Sequence, residues 1–160
     1  MHDIFDIACN FTSERFDGDL EEIINRAIKN NVTKFGLICS RVKDFPRLIN
    51  IYNNFSDLMR FTIGVHPHHA NEFNNEYLLQ LQNLIKDNPP HAIGETGLDF
   101  FRNLSSYDEQ IYAFEEQIKL AITYNKPLFL HQRDSHEDFI RILRNYSSDI
   151  NKSVVHCFTG

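Results

Sequence analysis

Six short apolar runs punctuate the chain, and the stretches between them follow a helical period. The runs are IFDIACN from Ile4, KFGLICS from Lys34, RFTIGVHP from Arg60, HAIGETGLD from His91, PLFLHQR from Pro127 and SVVHCFTG from Ser153, with starts 30, 26, 31, 36 and 26 residues apart. Rich in Ile, Val, Leu and Phe with little alternation, they have the pattern of strands buried on both faces of a parallel sheet. In DLEEIINRAIKNN, Leu20, Ile23, Ile24, Ala27 and Ile28 fall on one helical stripe, as do Ile111, Phe114, Ile118, Ala121 and Ile122 in SSYDEQIYAFEEQIKLAITYN. Ser106 with Glu109 forms a capping box for the latter. Ser135 is placed to cap SHEDFIRILRNYSS, with Phe139, Ile142 and Leu143 facing inward. PRLINIYNNFSDL and EYLLQLQNLIKDN are less regular helices, and the Asn-rich stretch from Asn71 to Asn75 reads as a loop.

Strand, helix, strand at about thirty residues per unit is the signature of right-handed βαβ units. Two architectures share it, an open doubly wound sheet and a (β/α) barrel. ACNFTSERF, after the first strand, contains neither GxGxxG nor GxxxxGK[ST], which disfavours the nucleotide-binding doubly wound version. A TIM barrel takes eight strands and about 250 residues. The expected fold is therefore α/β, a TIM (β/α)8 barrel of which the chain holds the first six strand-helix units.

The chain's 160 residues, 42% of them hydrophobic, suffice for one core, and residues 1–160 read as one domain, incomplete at its C-terminus. A formal net charge of −6 argues against holding nucleic acid by bulk electrostatics, so phosphate chemistry would need a metal or a local cationic cluster. Cys9, Cys39 and Cys157 are odd in number, far apart and each at the end of an apolar stretch, the usage of buried thiols in a reducing, cytoplasmic setting. MHDIFDIACNF lacks a basic segment, and no apolar run has the length of a membrane span.

Chemistry in either architecture collects at the C-terminal ends of the strands. There the sequence puts Asp6 and Asn10 in the first strand, His66 and His68 in the third, Glu95 and Asp99 in the fourth, His131, Arg133 and Asp134 in the fifth, and His156 in the sixth. A lone histidine at a strand end is commonly a satisfied core or loop residue. Glu95, between Gly94 and Gly97 directly after Ala92-Ile93, is a carboxylate that must be paired or bound to metal if buried. His131 and His156 follow apolar residues in the same way. Equivalent ends of neighbouring strands converge, so Glu95, His131 and His156 are expected to bind a divalent metal. Imidazoles and a carboxylate with open positions suit a Lewis acid that polarises phosphate and generates hydroxide near neutral pH, and a carboxylate can bridge two such ions.

Other histidines read differently. His2 and His91 precede their strands and are expected to be structural or solvated, and His69 to lie on a loop. His136 and Glu137 open a helix, where capping competes with a place on the outer rim, and Cys157 is expected in the core.

These residues also resemble a known family. FDIACNFTSERF, GVHPHHA, AIGETGLDFFRN, PLFLHQRDSHEDF and VVHCFTG, collinear over essentially the whole chain, resemble the TatD family of metal-dependent deoxyribonucleases, TIM-barrel proteins related to amidohydrolases. The resemblance implies one or two divalent ions, magnesium by preference, on Glu95, His131 and His156, and a 3′-5′ exonuclease hydrolysing single-stranded DNA, or RNA, with a role in DNA repair. It places His66 and His68 in the same pocket as substrate-phosphate contacts, and we add Arg133. Two departures stand out. Ala8 and Asn10 occupy the positions of the metal-binding histidines in the D-x-H-x-H motif of many members, a variant found in the TatD branch itself, and the ETD-containing motif whose aspartate is the expected general base lies beyond Gly160.

Two alternatives accompany this reading: a metal-dependent hydrolase of a small ester, lactone or amide, and a truncated, inactive piece of a barrel. The piece would expose its first and sixth strands as apolar edges and self-associate, whereas a full-length relative would be monomeric.

Overall fold

The computed structural model describes residues 2–159; Gly160 of the VVHCFTG motif lies outside them. Six strands form one parallel sheet in sequence order: β1 (Ile4–Cys9), β2 (Val32–Leu37), β3 (Met59–Ile63), β4 (Ala92–Asp99), β5 (Leu128–Arg133) and β6 (Ser153–His156). The crossovers are α1 (Leu20–Lys29), α2 (Phe45–Asn54), α3 (Asn75–Asp87), α4 (Tyr107–Thr123) and α5 (His136–Asn145). Sequential parallel order is how a βαβ repeat curls into a barrel, and here it makes part of one.

The core lies between the sheet and its helices. Phe35, Leu37, Met59, Ile63, Ile93, Leu128 and Leu130 meet Leu48, Leu81, Ile85, Ile118 and Ile142 there. The rings of Phe114 on α4 and Phe139 on α5 stack with centroids 5.4 Å apart, joining neighbouring helices. The central strands are buried as expected, but β1 and β6 are edges, leaving Ile4, Phe5, Ile7 and Val154 exposed.

Local signals are mostly as the sequence suggests. Ser106 and Glu109 make the reciprocal capping box of α4. Asn74 caps α3 by accepting a hydrogen bond from the amide of Tyr77, and Asn71 belongs to a 3-10 segment, Pro67–Glu72, so the stretch expected as loop is largely structured. Ser135 sits at the start of α5 but does not cap it with its side chain; its buried hydroxyl donates to the carbonyl of Leu98 at 3.1 Å, tying the helix start to β4. Ile28, on the apolar stripe of α1, is exposed. Cys157, expected in the core, is exposed: β6 ends at His156, and Cys157 turns away with φ of 51°.

Candidate metal centre

β4 places the centre. Its pairing with β5 runs Ile93 to Leu128 and then Thr96 to Leu130, so β4 carries one extra residue in that interval, a bulge that aims Glu95 inward. From Glu95 the period of two puts Gly97 and Asp99 on the same side. Gly97 pairs with His131, and His131 pairs with His156, so both imidazoles share one row across the sheet, flanked by the two carboxylates of β4. Gly97 is needed there: its φ is +145°, and a Cβ would lie 2.9 Å from the carbonyl carbon of His131.

The side chains meet as this register requires. Glu95 Oε1 is 3.0 Å from His131 Nδ1, 3.4 Å from His66 Nε2, and in close contact with His156 Nε2. Glu95, His131 and His66 are all buried. Burial pushes the Glu95 carboxyl up, but hydrogen bonds from His131, His156 and His66 override it and hold the group well below the usual carboxylate range. Asp99 closes the far side: its Oδ2 is 3.2 Å from His131 Nε2 and 2.7 Å from His68 Nε2. Burial raises the Asp99 carboxyl too, yet the amide of Arg102 and the ring of His68 keep it low.

His131 spans the two carboxylates, with Nδ1 against Glu95 and Nε2 against Asp99. An ion on Nδ1 would leave the Nε2–H with the Asp99 carboxylate, the carboxylate–histidine arrangement that orients a metal ligand. His66 is the reverse: its Nδ1 accepts from the amide of His68 at 3.1 Å, so in the neutral ring the proton is on Nε2, facing Glu95. Burial holds its pKa below the ordinary value, which keeps the ring neutral.

Donor atoms of His66, Glu95 and His131 lie within 4.8 Å of one another; with His66 Nε2 protonated, the lone pairs that suit a divalent cation are those of Glu95, His131 and the adjoining His156. Cis ligands on an octahedral ion at about 2.1 Å stand about 3.0 Å apart, the spacing of Glu95 and His131 here. The residues present therefore fit a divalent metal.

A cavity of about 330 Å³ surrounds the group, lined by Asn10, Ser40, His66, His68, His69, Glu95, His131 and His156. A larger cleft of about 620 Å³ adjoins it through Asn10, Ser40 and His69 and runs on to Thr12, Arg15 and Arg41. Of the strand-end residues selected from sequence, Asn10, His66, His68, Glu95, Asp99, His131 and His156 meet here. Asp6 does not; it is exposed, and its carboxylate accepts from the amide of Ala8. Arg133 stands aside, with its guanidinium over the ring of Phe101. His91, at the opposite end of the sheet, accepts from the amide of Phe61, and His136 packs against Phe158.

Sequence reasoning passed over Ser40, which the strand-end rule would have found just beyond β2, and it did not foresee His69 in the lining. It also missed two buried glutamines on α4. Gln110 accepts from the amide of Asp99 at 2.9 Å and donates to its carbonyl. Gln117 accepts from the amide of Val65 at 2.7 Å and donates to its carbonyl at 3.1 Å. The signal was present: Gln117 interrupts the apolar stripe between Phe114 and Ile118.

A parallel strand-helix sheet with imidazoles and carboxylates converging at its C-terminal edge defines the TIM-barrel metal-dependent hydrolases. Within that class, a family model described as TatD related DNase matches residues 5–160, and the chain belongs to that family. It is 39% identical over 157 residues to a Pantoea ananatis protein named 3′-5′ ssDNA/RNA exonuclease TatD, which covers 98% of this chain and 60% of that protein. An Erwinia tasmaniensis protein of the same name is 38% identical, with 98% and 61% covered. Among solved structures, a TatD homologue from Escherichia coli K12 superposes with a TM-score of 0.90 at 30% identity, over 98% of this chain and 61% of that one. A TatD family hydrolase from Entamoeba histolytica gives 0.89 at 30% identity, over 99% and 59%. The chain thus spans about three fifths of the length of the relatives it matches. Among the described residues, no helix is long and apolar enough to cross a membrane.

Proposed function

We propose that residues 1–160 form one domain carrying the metal-holding part of a nuclease that removes nucleotides from the 3′ end of single-stranded DNA or RNA, with magnesium as the working ion. The observation that supports this most is the convergence of His131 and His156 on the buried Glu95 at the C-terminal edge of the sheet, in a chain whose relatives carry the exonuclease name. Glu95, His131 through Nδ1 and His156 through Nε2 would hold the ion. Bound there, it would supply Lewis-acid polarisation of a phosphoryl oxygen and a lowered pKa for a coordinated water.

The remaining side chains have separate tasks. Asp99 fixes His131 and His68 from behind. His66, with its Nε2–H aimed into the same space, is placed to donate a hydrogen bond to a phosphate oxygen, and His68 stands beside it. Arg133, expected among the substrate contacts, stands farther out, where its guanidinium covers the ring of Phe101. Two buried thiols, Cys9 and Cys39, agree with a reducing, cytoplasmic setting, and burial raises the thiol of Cys39 to about 12. A role in DNA repair follows the family resemblance.

Hydrolysis of a 3′-labelled single-stranded oligonucleotide in magnesium is the test. Chelator and Glu95→Ala should each abolish product release. Unchanged hydrolysis under either condition overturns the reading.

A further inference from the structure

Phe101 is a large apolar side chain left 58% exposed two residues beyond Asp99. Its position is nevertheless tightly defined. The amide of Phe100 donates to the carbonyl of Arg133 at 3.0 Å, extending the β4–β5 pairing past the strand end. On its other side, the amide of Arg102 donates to Asp99 Oδ1 at 2.8 Å, and Asn103, at φ of 47°, turns the chain back. Held between these bonds, Phe101 lies within about 7 Å of Asp99 along the backbone, on the same edge of the sheet as Glu95.

The guanidinium of Arg133 covers one face of the ring, 3.9 Å from its centroid. Among the described residues Phe101 packs against no other aromatic ring, and more than half of its surface is exposed. A cation on one face makes the pair rigid without covering the other. An exposed aromatic face backed by arginine, at the rim of a site for phosphodiesters, is the arrangement on which an unpaired nucleobase stacks. Stacking needs no base-edge hydrogen bonds and so tolerates any sequence, as exonucleolytic digestion requires.

We infer that Phe101, backed by Arg133, is a stacking platform for an unpaired nucleobase of the substrate strand. The inference rests on the nuclease reading and adds to it a contact to the base, whereas the histidine and carboxylate cluster addresses only phosphate. Arg133 then acts through Phe101 as a positioning residue.

Binding rather than turnover tests it, by fluorescence anisotropy of labelled single-stranded oligonucleotides with calcium in place of magnesium. Phe101→Ala should bind an oligonucleotide with bases about tenfold more weakly than wild type, and an abasic backbone of the same length equally well. Phe101→Tyr, which keeps the ring, should retain wild-type affinity for both. The comparison is run with deoxyribo- and ribo-oligonucleotides, and the loss is read on each that the wild type binds. Phe101→Ala binding the bases as tightly as wild type, or losing affinity for both backbones alike, overturns the inference and leaves the nuclease reading intact. A wild-type chain that binds no oligonucleotide overturns both.

Discussion

Burial would ordinarily keep the Glu95 carboxyl protonated, and three imidazoles reverse that preference. The same balance extends outward to Asp99, whose single oxygen Oδ2 orients both His131 and His68. Asp99→Asn keeps the shape but loses the charge that holds the His131 proton on Nε2. Titration calorimetry with Mn²⁺ should therefore show about 10- to 100-fold weaker binding with the fold intact, the usual cost of removing a partner that orients a metal ligand. His69 gives a pH prediction. Burial lowers its pKa to about 4 from 6.5, with Arg41, His66 and His68 pushing the same way and Glu72 opposing. Between those values the unfolded chain takes up a proton that the folded chain refuses, so stability is full above about pH 6.5 and falls as pH drops toward 4. His66 and His91, lowered by burial as well, add to the slope. In urea melts at pH 7 and pH 5, His69→Gln should lose less stability between the two than wild type; an unchanged difference counts against this account.

Among the elements, α4 bears most directly on the centre. Its buried glutamines, Gln110 and Gln117, clamp the backbone of the segments that carry Asp99 and His66. Helix and strand ends are thus joined by hydrogen bonds to main-chain groups, which fixes their relative height better than apolar contact can. Gln117→Leu should leave both the amide and the carbonyl of Val65 without their present partner, at about 1–3 kcal/mol for each orphaned group. Urea unfolding would show the loss as a lower midpoint with an unchanged slope. The helical period revealed α4 and its apolar stripe but gave Gln117 no role. Only the packed helix shows which main-chain groups the amide meets.

At the scale of the whole molecule, the open edges dominate. Ile4, Phe5 and Ile7 on β1 and Val154 on β6 are exposed, and such edges invite pairing with another chain. The 160-residue chain by itself should self-associate with rising concentration, and Ile7→Lys, which puts a charge on the β1 edge, should reduce this in light scattering. Scattering that is independent of concentration for the wild type would contradict the expectation. Self-association would also lower the effective concentration of open sites, so activity and binding are best compared at matched protein concentration.

What the residues determined unaided is the repeat, the parallel order and the rank of Glu95, His131 and His156 as one group, because apolar runs at steady spacing admit few topologies and strand ends converge in all of them. Tertiary structure decided the rest. The bulge in β4 aims Glu95 inward, the Gly97–His131–His156 row sets which side chains face one another, and the amide of His68 selects the protonated nitrogen of His66. Arg133 meets Phe101, and Cys157 turns outward. Each depends on register or on contact between residues far apart in the chain, and periodicity along a single segment carries no information about either.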